Sequence, residues 1–532
     1  MAAGNSNLIP NGNSILVNTH TNYEGQYHSH PIQLQNGELL VLFEDWTELG
    51  FAQAIAPDGT AAGEEFALHR PEEEILEIEV QPLRGDQFLV LAAVQDTSYS
   101  LGYSMVGRVF DSAGTIIRET FFNPENPPQH ISLSLQEDGS YLASWTDDRQ
   151  PGSPTSYQDG SGEGIFAQRV ASDGTLVGEA FQINQTSRYD QSSPSSATLS
   201  NGHYVVTWEG ETDVTSTSRD ELLGRILRPD GSFVGGEFRL NTYDRGDQED
   251  IAVAALSGGG FVVVWTSTRQ DVYYSESGSR WESSGIYGRI FDNAGNATTD
   301  EFRINTASRG GQSDATISAL DTGGFIVSWI TDGWDTDADD GLWDVAARVF
   351  DGNGFSYGDE FLVHDVAEGS QLPGGITQLA SGDLFVTWAS THLGNGYDVM
   401  AQQFTFYEGR TLEGTAGDDR LIGGAESDTF NGLAGNDFLQ GGDGPDALHG
   451  GDGADTLIGA DGHDTLIGGN SEDDVRDVVY GGTGDDSLDG GYGNDELRGD
   501  DGNDTIEGGF GADTVIGGNG NDLLTGSAWS DV

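Results

Sequence analysis

Cysteine is absent from all 532 residues. That removes disulfides and thiolate metal sites, and leaves the redox compartment undecided. Lysine is absent too: the 22 basic residues are all arginine, set against 88 acids for a formal net charge of -66. A chain this acidic offers no broad basic surface to phosphate, so nucleic acid is not an expected partner. No apolar run is long enough to span a bilayer, and Met1-Ala2-Ala3-Gly4-Asn5-Ser6 has neither the basic start nor the apolar stretch of a signal peptide. Export, if it occurs, is expected to bypass a cleaved N-terminal signal. Nor is there a Gly-x-Ser-x-Gly elbow, a phosphate loop or a zinc-helix motif, so the common hydrolase and nucleotide-binding classes find no support.

What the chain has in abundance is glycine, 79 residues of it, much of it concentrated in one rhythmic tract from Leu412 to Ser527. Aspartates fall nine apart at Asp419, Asp428, Asp437, Asp446, Asp455 and Asp464, and again at Asp477, Asp486, Asp495, Asp504, Asp513 and Asp522. One thirteen-residue step separates the two runs. Two residues after each aspartate stands an apolar residue, from Leu421 and Phe430 through to Val515 and Leu524. A flexible low-complexity linker would not keep that phase. A glycine turn, an aspartate and a short strand with one inward apolar side chain describe a parallel β-roll repeat.

The wording of the repeats, as in Gly451-Asp452-Gly453-Ala454-Asp455-Thr456-Leu457 and Gly491-Tyr492-Gly493-Asn494-Asp495-Glu496-Leu497, resembles the RTX (repeats-in-toxin) family. The resemblance implies calcium bound in the turns. Calcium takes six to eight hard oxygen ligands, and glycine lets turn carbonyls point at the ion. In the family's geometry aspartates two repeats apart bridge each ion, so Asp419 with Asp437 and Asp477 with Asp495 are expected pairs. Counting pairs within each run gives about eight ions. The family also implies secretion by a type I system through an uncleaved C-terminal signal. The chain ends at Ala528-Trp529-Ser530-Asp531-Val532, where relatives usually carry more residues. The roll is expected to fold only with calcium, because its aspartates repel and one apolar residue per turn is too little core.

Composition changes sharply near Leu412, and the expected division is residues 1–410 and 411–532. The second part holds 28 acids against Arg420, Arg476 and Arg498, which leaves about 41 negative charges on the first. Such a surface suits a saline, calcium-rich medium.

Residues 1–410 repeat a longer unit. Gly260-Phe261-Val262-Val263-Val264-Trp265, then Ile286-Tyr287-Gly288-Arg289-Ile290-Phe291-Asp292, then Glu301-Phe302-Arg303-Ile304-Asn305 recur one unit later around Trp329, Arg348 and Glu360-Phe361. Second strands end in Trp145, Trp208, Trp265, Trp329 and Trp388, with Phe43 and Ala92 in two weaker copies. Seven units of four short strands and no helical periodicity predict an all-β fold: a seven-bladed β-propeller followed by a parallel β-roll. The last unit lacks a fourth strand, and Ser14-Ile15-Leu16-Val17-Asn18 is the unclaimed strand that would complete it and close the ring.

Links between strands two and three are long, for instance Thr266 to Ser284 and Thr331 to Trp343. They emerge on one face, which carries Trp46, Tyr189, Tyr273, Trp281, Trp334 and Trp343 as candidate ligand-binding residues. Aromatics on loops over a rigid scaffold suit sugar stacking or protein docking. On the same face His28, His30, Tyr27 and Arg188 are the residues that proton abstraction from a uronic acid would need, a base, an acid and a cation. Asp335 to Gly341 starts like a calcium loop, but Ala346 stands where the closing glutamate belongs. The recurrent tryptophans, and Arg108, Arg169, Arg225, Arg289 and Arg348, read as blade architecture, the arginines as partners for Glu237, Glu301 or Glu360. The expected function is recognition of an extracellular glycan or surface protein by a secreted monomer with no membrane span. The alternatives are a polysaccharide lyase and a structural segment of a larger adhesin.

Overall fold

The computed structural model describes residues 8–526 apart from 11–13, 19–25, 46–48, 57–59, 97–101, 123–127, 148–162, 186–189, 212–219, 244–245, 275–279, 307–309, 333–342, 355, 357–359, 365–368, 392–396, 407–410, 425–427, 470 and 472–474. Every regular element among them is a strand. Two compact units form, one built on Pro10–Gly354 with Glu360–Thr405, the other with Phe406–Val532 as its main body.

The first unit is seven antiparallel sheets in chain order, the architecture of a seven-bladed propeller. Six sheets have four strands, for example Gln191–Thr198, Tyr204–Glu211, Asp220–Leu227 and Phe233–Arg239. Their first strands, from Gln26–Gln33 to Gln371–Gln378, contact one another in a closed ring around the axis. Second strands are apolar on both sides because each is sandwiched between neighbouring blades: Phe325–Thr331 is buried at six of seven positions. Phenylalanines stack within blades, as in the pair Phe261 and Phe291, with ring centroids 5.1 Å apart.

The seventh sheet is closed by the N-terminus. Ile15 pairs with Ala401 and Leu16 with Met400, antiparallel to Asp398–Phe406, and the Val17 N–H donates to the Val399 carbonyl at 2.9 Å. Leu8–Pro10 lies against the same strand, so the closing edge comes in two pieces. A motif residue settles the equivalence. Asn184, Asn241 and Asn305, two residues past their fourth strands, each accept a backbone N–H of their own third strand, at Ile165, Leu222 and Ile286. Asn18 accepts the N–H of Val399 in the same way at 2.8 Å.

The arginines and glutamates join blades mainly through backbone. Arg225, Arg289 and Arg348 donate to the carbonyls of Ile183, Leu240 and Ile304 in the preceding blade. Glu301 accepts from Thr242 and Tyr243, and Glu360 from Thr306. Arg108 makes a buried carboxylate cluster with Glu73 and Glu119.

The second unit is a parallel β-solenoid of about six turns over residues 412–525. Alternate repeats build two sheets of seven and six strands, so each strand pairs with the one two repeats on: Leu421 beside Leu439, Phe430 beside Leu448. The apolar residues from Leu421 to Ile506 form one buried column. Leu524, the twelfth in phase, is 48% exposed. The thirteen-residue step leaves both sheets unbroken, since Leu457 pairs with Val479 and Leu466 with Leu488.

Candidate metal centre and propeller mouth

In the solenoid each repeat aspartate turns inward at the end of a turn and is nearly inaccessible, from Asp428 to Asp513. Its Oδ1 accepts the backbone N–H of the aspartate two repeats earlier: Asp419 N–H donates to Asp437 at 2.8 Å, Asp446 N–H to Asp464 at 2.8 Å and Asp486 N–H to Asp504 at 2.9 Å. The expected partners two repeats apart are therefore linked. The ladder also crosses the long step, with Asp455 N–H on Asp477 and Asp464 N–H on Asp486, both at 2.8 Å. Treating the two runs as separate misses these pairs.

The other carboxylate oxygen is what a cation would find. Oδ2 of Asp437, Asp446, Asp464, Asp486 and Asp504 is buried with no hydrogen-bond partner. Leaving such an atom unmet costs about 1 to 3 kcal/mol, more for a charged group. A glycine carbonyl converges on the same place: a Cβ added at Gly432 would collide with both Asp437 Oδ2 and the carbonyl of Gly450. The same pairing meets an added Cβ at Gly468, from Asp477 Oδ2 and the carbonyl of Gly490. Carboxylate and carbonyl oxygens without nitrogen or sulfur are the donor set of a hard divalent cation, so the residues fit calcium. Side chains alone make no cage, for no cluster of three or more His, Cys, Asp or Glu forms a metal site among the described residues. Backbone oxygens supply the rest.

Electrostatics agrees. Burial first, and then the carboxylates of Asp464 and Asp428, push Asp446 up to about 7. Burial and the neighbouring Asp464 and Asp504 do the same to Asp486. Asp437, Asp464 and Asp504 are raised chiefly by burial. Bound calcium supplies the positive charge that keeps such carboxylates ionised.

The propeller's candidate residues fare unequally. Arg188, Tyr189, Trp46, Trp334 and the Asp335 to Gly341 segment lie outside the described residues. Tyr27 is within the strand Gln26–Gln33. Tyr273 and Trp281 are cross-strand partners, because the link expected between Thr266 and Ser284 is a hairpin whose strands Phe261–Tyr274 and Arg280–Phe291 run on past the blade. Val272, Tyr273, Tyr274 and Trp281 are strong strand formers, which favours extension over an irregular loop. The five recurrent tryptophans are at most 2% exposed and structural. Trp208, Trp265 and Trp329 donate their indole N–H to Gln191, Gln248 and Gln312, each at the head of its first strand. That glutamine recurs in the sequence and is the signal from which the contact could have been read.

One feature of the mouth escaped the sequence reading. Each first strand carries a β-bulge near its start, and five bulge residues are left-handed: His28 (φ 46°), His130 (φ 46°), Ser193 (φ 53°), Asp250 (φ 54°) and Asp314 (φ 52°). Such a bulge re-aims a side chain at a conformational cost. His28, Asp250 and Asp314 are thereby brought to one cavity of about 710 Å³, with Glu77, Asp332, Trp343, Ile330, Leu372 and Pro373 among its walls. Trp343, expected as a ligand residue, is 45% exposed there.

His28 Nδ1 stands 3.6 Å from a Glu44 oxygen. Burial, and His28 beside it, push His30 down to about 4, so its ring is neutral at ordinary pH. Burial pushes Glu77 up to about 7, although the Ile131 N–H it accepts pulls the other way. Burial and the carboxylate of Glu77 carry Glu79 up to about 8. Asp250 is raised by burial and by Asp314, whose N–H donates to it at 3.2 Å.

Comparison with known proteins divides the same way. Residues 411–439, 440–475, 473–506 and 498–528 match the profile of the RTX calcium-binding nonapeptide repeat in four copies. No curated protein matches the chain. Solved structures similar to it include a protein of unknown function from Dyadobacter fermentans (10% identity, 75% of this chain and 100% of that one, TM-score 0.43). Others are an α-L-arabinanase of Penicillium chrysogenum complexed with arabinobiose (14%, 74% and 98%, TM-score 0.40) and the Pan2 WD40 domain of Neurospora crassa (8%, 72% and 89%, TM-score 0.39). These likenesses concern fold only.

Proposed function

We propose that this chain, whose residues 411–528 are RTX calcium-binding repeats, is a secreted recognition protein: calcium folds the solenoid, and the mouth of the propeller binds an extracellular glycan. RTX repeats are typical of secreted proteins, and no helix among the described residues is long and apolar enough to cross a membrane. Export through a type I system is part of the proposal. So is the ion count. The aspartate ladder runs unbroken across the thirteen-residue step, so the two pairs spanning it, Asp455 with Asp477 and Asp464 with Asp486, join those within the runs. About ten calcium ions then replace the eight counted from separate runs, each held by carboxylate and glycine carbonyl oxygens.

The single observation behind glycan recognition is Trp343, an exposed indole on the wall of a cavity that also holds carboxylates and imidazole. An indole face stacks on the C–H face of a sugar ring, and fixed carboxylates accept its hydroxyls. Catalysis by a lyase needs a cation to neutralise the uronate, and among the described residues lining the cavity there is no arginine, so binding is the favoured reading.

A glycan array probed with the full chain in millimolar calcium tests this, with absorbance of unsaturated uronates followed in parallel on several polyuronates. Binding that Trp343→Ala abolishes, without new absorbance, is expected. New absorbance lost in His28→Ala would establish a lyase instead.

A further inference from the structure

We propose that the propeller mouth is selective for a glycan bearing free amino groups, a glucosamine-type amino sugar with its nitrogen unacylated. The inference rests on the glycan reading above and names the class of sugar.

Four carboxylates, Glu77, Asp250, Asp314 and Asp332, line the cavity, and among the described residues no arginine does. With lysine absent from the whole chain, His28 is the one basic group among the described residues of that wall, and it already stands beside Glu44. Two of the four are held in place. Asp250 Oδ2 accepts the Thr266 hydroxyl at 2.8 Å and the Asp314 N–H at 3.2 Å, while Asp314 Oδ2 accepts the Ser313 hydroxyl at 2.7 Å. Asp250 and Asp314 occupy the same bulge position on neighbouring blades, both left-handed, so the pair is presented twice over by one backbone device. Asp332 joins them through its N–H on the Gly311 carbonyl, the residue before the sixth blade's first strand.

The wall opposite in character is apolar: Ile251, Ala315, Ile330, Leu372 and Pro373, with the Trp343 indole. A ligand that satisfies both must have a flat apolar face and a positive charge close to it. A pyranose with an ammonium substituent has both, and the cavity's volume of about 710 Å³ is of the size that encloses a small ligand. The charge pattern disfavours an anionic polysaccharide, which would meet four carboxylates against one imidazole among the described lining residues. A bare divalent cation would not use the indole, and the described residues form no three-ligand side-chain site. A lysine side chain brings the charge but no flat face for the tryptophan.

The test is calorimetric titration of the full chain in millimolar calcium with four probes: a glucosamine tetramer, its fully N-acetylated counterpart, a tetragalacturonate and a lysine-rich peptide. The glucosamine tetramer should bind at least tenfold more tightly than the acetylated one, with affinity falling as salt rises. Asp314→Asn keeps the side chain's shape at an exposed position and suits a left-handed backbone, so it should fold normally and lose most of that tenfold preference. Trp343→Ala should weaken both sugars. Equal binding of the acetylated tetramer, or tighter binding of tetragalacturonate, overturns the amino-sugar inference and leaves glycan recognition standing. Binding of the peptide alone reassigns the cavity to basic protein segments and overturns both, as does no binding of any probe.

Discussion

Replacing Asn18 by alanine tests whether the ring is closed by the N-terminal strand. Asn18 is 1% exposed, accepts the Val399 N–H at 2.8 Å and donates to Asp398 at 3.1 Å. Its removal strands a buried N–H and deprives a nearly buried carboxylate of a donor. Each orphaned group costs about 1 to 3 kcal/mol, so the variant should lose about 3 kcal/mol. In a unit this large that corresponds to a melting temperature lower by about 4 °C. Asn241→Ala removes the same bond to Leu222 within an interior blade and calibrates the measurement. Leu16→Ala, at a side chain 37% exposed, should change little. Deleting residues 1–19 removes the short ladder to Ala401 and Met400 as well as Val17, which is fully buried, and should cost more than Asn18→Ala. Thermal melts followed by near-ultraviolet circular dichroism read the propeller's packing. If Asn241→Ala lowers the melt while Asn18→Ala and the deletion do not, the seventh blade stands without its N-terminal strand and the closure argument is wrong.

Two further outcomes concern the solenoid. Leu466→Ala empties one fully buried position of the apolar column between Leu448 and Leu488, costs about 2 to 5 kcal/mol and should raise the calcium concentration needed for folding, read from a calcium titration of far-ultraviolet dichroism. An unchanged midpoint would mean the column does not carry the fold. Calcium affinity should fall as pH drops through 7, because Asp446 and Asp486, raised to about 7, then hold protons that the ion must displace. The calcium-free solenoid should show the opposite trend. Carboxylates raised in the folded state contribute stability that is present below their ordinary range and is lost as pH rises through about 7. Acid without calcium should therefore increase strand content, and calorimetry should detect proton release on calcium binding at pH 7.

The periodic parts of the fold were legible because one residue type repeats for one physical reason. A buried apolar side chain every nine residues is the solenoid column, and a tryptophan closing five second strands marks blades whose indoles all pack inside. The orphan strand at Ile15 could be placed because a ring cannot leave one blade short. Features made by residues far apart were not legible. Asp250 and Asp314 share a cavity with Glu77 and Trp343 because bulges in separate first strands aim at one opening, and a bulge leaves no mark in a single strand's pattern. The hairpin from Phe261 to Phe291 looked like a loop because polar residues and glycine surround Val272, Tyr273 and Trp281 and break any alternating pattern. The thirteen-residue step hid two aspartate pairs, since spacing in sequence stopped matching spacing in the ladder.

Buried carboxylate oxygens left without a hydrogen-bond partner, such as Oδ2 of Asp446 and Asp486, are expected to make calcium decide when residues 412–525 fold, independently of the propeller. Far-ultraviolet circular dichroism of the full chain, recorded at pH 7.5 in chelator and then across a calcium titration to millimolar concentration, tests it most directly. Expected is a cooperative gain of strand signal, while the near-ultraviolet signal of the propeller's buried tryptophans stays constant. A spectrum already complete in chelator, or one in which the tryptophan signal rises together with the strand signal, would contradict it.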